Sequence, residues 1–131
     1  MKKIEIGAKG FAEIIVSSSD LAVNVGSGSL DVLATPKMAM LMEKAACSCI
    51  SEFLETNETT VGTELNIQHL SPTPIGMKVY AEAEIIDVNG REIVFKVTAY
   101  DESLIIGSGT HKRFAVLVDK FMAKALSKIN K

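Results

Sequence analysis

Three side chains in this sequence could together do acid–base or nucleophilic chemistry: the hydroxyl of Thr35, the carboxylate of Glu43 and the imidazole of His69. Glu43 is the unusual one. On a helix its neighbours three and four residues away are Ala39, Met40, Ala46 and Cys47, none basic and all small or apolar. Lys44 is adjacent in sequence but points about 100° away around such a helix. A carboxylate on an apolar surface is costly unless the fold brings it a partner from elsewhere. Two readings stand: a helix-edge glutamate whose head reaches water, or a carboxylate whose reactivity is set by a pocket. On the helix alone the first is the more economical. Thr35 equally well reads as a helix cap. A lone strand histidine is more often structural than catalytic, and His111 is read that way.

The element that must carry Glu43 spans residues 34–54. Thr35 and Pro36 form a helix start. Met38, Leu41, Met42, Ala45, Cys49 and Phe53 then recur at three- and four-residue steps, predicting an amphipathic helix of about 20 residues and near 30 Å. Before it, residues 2–16 predict one or two strand segments. Residues 17–33, rich in Ser and Gly, predict a loop that could be a lid or a plain connection. After it come extended segments at 61–70, 77–88, 92–100 and 104–118. A Ser-Pro-Thr-Pro break at 71–74 and an Asn89-Gly90 hairpin turn punctuate them. His69 closes the first of these strands. From Asp119 a short helix puts Phe121, Ala125, Leu126 and Ile129 on one side and Lys120, Lys124 and Lys128 along another line. One long helix against one antiparallel sheet is a two-layer α+β design. The helix is apolar over much of its circumference, so the sheet is expected to curl around it: the hotdog arrangement. Such a sheet has open edges, and pairing two copies as a homodimer is the simple remedy.

Composition narrows the functional classes. A chain of 131 residues is expected to form one domain over 1–131, and 47% apolar residues suffice for a real core. A net charge of −2 with no dense basic block argues against nucleic acid as a partner, as do the absence of Trp and an aromatic content of only 5%. Cys47 and Cys49 would point about 200° apart on a helix, so they neither pair nor share a metal, and they read as core fillers in a reducing compartment. Without a signal-peptide core or a run long enough to span a bilayer, the expected location is the cytoplasm, with no membrane partner.

The residues Ala34-Thr35, Leu41-Met42-Glu43 and Ala46-Cys47 resemble the helix of the fluoroacetyl-CoA thioesterase family of hotdog proteins. Gly62-Thr63, His69, Thr73-Pro74, Gly76 and the string Gly107-Ser108-Gly109-Thr110-His111-Lys112-Arg113 extend the resemblance over about residues 30–125. It implies a thioester hydrolase acting on an acyl-CoA substrate without a further cofactor or metal. By the resemblance, Glu43 attacks the thioester carbonyl or activates a water, Thr35 orients Glu43, and His69 is acid/base toward the departing thiol. The Gly62 backbone N–H polarises the carbonyl, and Arg113 binds substrate. Two departures point away from fluoroacetyl selectivity: Ser29 stands where that family has an aromatic lid residue, and Pro36 follows Thr35 where it has Gly. The expected substrate is therefore a small or short-chain acyl-CoA. A hotdog protein that binds a thioester without hydrolysing it is the alternative. A hydratase ranks last, since neither Asp31 nor Asp87 has a suitable histidine nearby in sequence.

Overall fold

The computed structural model describes residues 1–130. Its centre is helix α2, Thr35–Ile50, which buries Met38, Leu41, Met42, Ala45, Ala46, Cys49 and Ile50. The helix is shorter than its sequence pattern suggests. The chain tightens into a 3-10 turn, Ser51–Phe53, where the Ser51 hydroxyl bonds the Ser48 carbonyl. Ala34, not Thr35, occupies the cap position. It offers no side-chain cap, so Thr35 is a helical residue with its hydroxyl free for another partner.

Five antiparallel strands form one sheet: β1 (Lys9–Ile15), β2 (Glu58–His69), β3 (Lys78–Asn89), β4 (Glu92–Asp101) and β5 (Ile105–Leu117). Their order is β1-β3-β4-β5-β2, so the β3–β4–β5 meander lies in the middle and β2 is an edge. Alternation places Val79, Ala81, Ala83 and Ile85 of β3 and Ile93, Phe95, Val97 and Ala99 of β4 on the face against α2, all fully buried. This is the hotdog arrangement expected from the sequence. The first strand starts only at Lys9, and residues 2–8 lie outside the regular ladder.

Segment 17–33 is not shapeless. It contains a 3-10 turn, Ser18–Asp20, a single helical turn α1, Ala22–Val25, and a bridge between Leu21 and Leu33. Its end is pinned where the Leu33 N–H donates to the Thr73 carbonyl. Thr73 is fully buried, and its hydroxyl donates to the Asp101 carboxylate at 2.9 Å. Burial works to raise the pKa of Asp101, but donors from Leu104, Ser103 and Thr73 outweigh it and hold the carboxyl below its usual range. Helix α3, Val118–Leu126, buries none of its residues, and Phe121, Met122 and Leu126 stay exposed.

Cys49 is buried, and burial first and Glu52 second push its thiol up to about 11, consistent with a core filler. Cys47 departs from that expectation: it is exposed on the outer face of α2.

One glycine fixes the helix-to-sheet distance. A Cβ on Gly10 of β1 would land on the backbone of α2, at Ala45 O and Cys49 N, and within 2.7 Å of Cys49 Cβ. Backbone atoms cannot swing aside as a side chain can. Gly10→Ala should therefore cost about 1–3 kcal/mol, read as a lowered midpoint in chemical denaturation. Gly28→Ala, whose nearest neighbour would be the Ala22 methyl at 3.3 Å, serves as the milder comparison.

Candidate active site

The carboxylate that lacks a partner on its own helix finds one on β5. Glu43 Oε2 lies 3.8 Å from Arg113 Nη1. Arg113 is only 7% exposed, and each of its three nitrogens donates one hydrogen bond. Nε donates to the Thr60 hydroxyl at 2.8 Å, Nη2 to the Thr60 carbonyl at 3.0 Å, and Nη1 to His111 Nε2 at 3.1 Å. Arginine has no acceptor, so His111 must accept at Nε2 and carry its proton on Nδ1, which donates to the Glu64 carbonyl at 2.8 Å. Burial, and then the Arg113 charge, push His111 below its usual range against the opposing pull of the Glu64 carbonyl and Glu43. His111 is thus the structural histidine its sequence context suggests, and it holds the arginine.

Gly62 is where these groups meet the edge strand. A Cβ there would stand 3.1 Å from Glu43 Oε2, 3.2 Å from His111 Cε1 and 3.4 Å from Arg113 Nη1. Only the absence of a side chain lets carboxylate, imidazole and guanidinium crowd against the backbone of β2.

His69, seven residues further along β2, would face the opposite side of a regular strand. The pairing of β2 with β5 slips between Gly62 and Glu64, leaving Thr63 as an extra residue. Gly62 therefore pairs with Arg113 and His69 with Gly107, positions six apart on β5, so both lie on the face toward α2. There the Thr35 hydroxyl and His69 Nδ1 sit 2.8 Å apart. His69 Nε2 is buried without a hydrogen-bond partner, and burial lowers the proton affinity of the ring despite an opposing contribution from the Ser71 backbone. Thr35 and His69 line a cleft of about 280 Å³ between the 22–33 segment and residues 70–72, with Ala22, Val32, Leu70 and Pro72 among its walls.

The structure thus forms two half-sites on one concave face: Glu43 with Gly62 and Arg113, and Thr35 with His69. Within one chain it does not join them. Thr35 and Glu43 are eight residues apart on one helix, a rise of about 12 Å. The Thr35 hydroxyl bonds His69, not Glu43, which departs from the orienting role expected of it. Arg113, expected to bind substrate, is a buried cation held by Thr60 and His111 and turned toward Glu43. Thr60 fixes the guanidinium through its hydroxyl and its carbonyl, and no local sequence pattern singles that residue out. Among the described residues, no three His, Cys, Asp or Glu side chains cluster as metal ligands, and no helix is long and apolar enough to cross a membrane.

Comparison with known proteins agrees with this architecture. The fluoroacetyl-CoA-specific thioesterase family model matches residues 16–119. The fluoroacetyl-CoA thioesterase of Streptantibioticus cattleyicolor is 39% identical over 98 residues, 75% of this chain and 70% of that protein. A solved fluoroacetyl-CoA thioesterase structure superposes with a TM-score of 0.90 at 30% identity, covering 97% of this chain and 98% of that one. A thioesterase superfamily member from Thermus thermophilus gives the same TM-score at 27% identity, covering 98% and 96%. The chain belongs to the fluoroacetyl-CoA-specific thioesterase family.

The neutral His111 gives the site an acid limit. A histidine whose folded value is depressed binds its proton more readily unfolded, so its contribution to stability is present above about 6.5 and is lost as pH falls below it. Protonation would set an Nε2–H against the Arg113 donor. The melting temperature should fall from pH 7.5 to 5, and His111→Gln should flatten that slope; an unchanged slope in the variant would remove His111 as its source.

Proposed function

We propose that this member of the fluoroacetyl-CoA-specific thioesterase family hydrolyses short-chain acyl-CoA thioesters to the free acid and CoA. The observation that carries the reading is the half-buried Glu43 carboxylate, held beside Gly62 and a buried arginine on the same face as a hydroxyl-bonded imidazole. A thioester carbonyl is electrophilic, so a positioned carboxylate with one good donor suffices to open it. Either Glu43 takes the proton of a water that attacks the carbonyl carbon, or it attacks the carbon itself and water then opens the resulting anhydride, releasing the acid and restoring the carboxylate. The carbonyl oxygen gains charge against the Gly62 backbone N–H, and the carbon–sulfur bond breaks. With Thr35 donating to Nδ1, the His69 proton sits on Nε2, where it can serve the departing sulfur. The Arg113 guanidinium faces the Glu43 carboxylate at 3.8 Å.

The two half-sites are best completed between two copies of the chain. Residues 62–66 of β2 are exposed, and an unpaired twelve-residue edge is a liability for a lone subunit. Antiparallel pairing of β2 with β2 about a two-fold axis near Leu65 and Asn66 would bring His69 of one copy beside Gly62 of the other. Each catalytic set would then take Glu43, Gly62 and Arg113 from one subunit and Thr35 and His69 from the other.

Glu43→Gln or His69→Ala should each lower thiol release from acyl-CoA by about 10²–10⁴-fold while leaving the melting temperature near wild type. Refolding the two inactive variants together tests the shared site. Mixed dimers would contain one intact set, so roughly a quarter of wild-type activity should return; no recovery would place the whole set in one subunit. Tight binding of acyl-CoA by wild type without any thiol release would favour a non-hydrolysing binder instead.

A further inference from the structure

The cleft beside Thr35 and His69 has a volume of about 280 Å³, whereas each water in the liquid occupies only about 30 Å³. A two-carbon acyl group would leave most of it unfilled. Five of its nine lining residues are apolar, the other four are Ser27, Thr35, His69 and Ser71, and no charged side chain lines it. The phosphates of CoA would have no cation there. With Thr35 and His69 at the reacting end, the remainder is walled mainly by aliphatic side chains, which suits a hydrocarbon chain. The acyl end of the substrate is also the end that must lie next to the reacting groups, and His69 is one of the residues lining the cleft.

We infer that this cleft is the acyl pocket, and that it selects straight or branched aliphatic acyl groups of about four to eight carbons over two-carbon ones. This rests on the thioesterase reading above and goes beyond it, because it fixes which thioesters turn over fastest. Each methylene buried in the cleft should raise kcat/KM by about fourfold until it is full. Ser27, from the 22–33 segment, and Ser71, from the 70–72 side, both line it. Both are polar and not buried, so a phenyl ring at either position occupies the cleft without displacing core atoms.

The experiment measures kcat/KM on acyl-CoAs from two to ten carbons, for wild type, Ser27→Phe and Ser71→Phe. In parallel, calorimetry measures binding of the matching non-hydrolysable acyl-CoA thioethers. Wild type should climb from acetyl to an optimum between four and eight carbons, and both variants should shift that optimum toward two. A flat profile, or an optimum at acetyl-CoA with thioether affinity independent of chain length, would overturn the pocket while leaving the hydrolase intact. Thioether affinity that climbs with chain length and drops in both variants, without hydrolysis of any thioester, would sink the hydrolase and keep the pocket.

Discussion

A guanidinium buried to 7% exposure is the constraint around which the site is arranged. Arg113 cannot shed its proton, so the fold has to supply acceptors for its donors or bear the cost of a bare charge. Thr60 supplies two and His111 a third. This forces His111 into the neutral state with its proton on Nδ1, which in turn requires the Glu64 carbonyl to turn toward it. The arrangement leaves one edge of the guanidinium facing α2, and there stands the carboxylate that has no partner on its own helix. Acid and base are thus joined by the packing of helix on sheet.

The irregularity at Thr63 belongs to the same arrangement. A regular β2 would put Gly62 and His69 on opposite faces, and either the crowded glycine or the imidazole would be lost to the outer surface. One inserted residue restores the parity. It falls where the Glu64 carbonyl reaches His111, so the step that brings His69 inward also completes the support of Arg113. A substitution that straightened β2 would be expected to disturb both half-sites together.

Much of this was legible in the sequence. The three-and-four spacing in α2 and the alternation in β3 and β4 named the buried faces residue by residue, because each is set locally by a helical or strand period. Glu43 stood out because none of its helical neighbours could neutralise it. Other features were not legible, since they depend on register between distant strands. The slip in β2 comes from pairing with β5. The edge position of β2 follows from the strand order. The Thr60 clamp joins residues 53 positions apart. Thr35 illustrates the limit most directly: its type fits a helix cap, yet Ala34 takes that position and the hydroxyl is drawn to His69, 34 residues away. The exposure of Cys47 has the same origin, since a small residue near the edge of an apolar stripe can fall on either side of it.

The 3.8 Å between Glu43 and Arg113 suits a reactive carboxylate better than a tight pair would. A short bidentate bridge would commit both oxygens to the guanidinium, holding the anion so firmly that little driving force remained for attack or proton removal. At 3.8 Å the charge is felt, but neither oxygen is held by a hydrogen bond from the arginine. The Glu43 side chain also keeps 43% of its surface open on the concave face. Covering that remaining surface, by substrate and by a second subunit at the β2 edge, would strengthen the same electrostatic contact by excluding water from it. The chain alone therefore holds the carboxylate in place without committing its oxygens, and enclosure would strip away the water that otherwise solvates them.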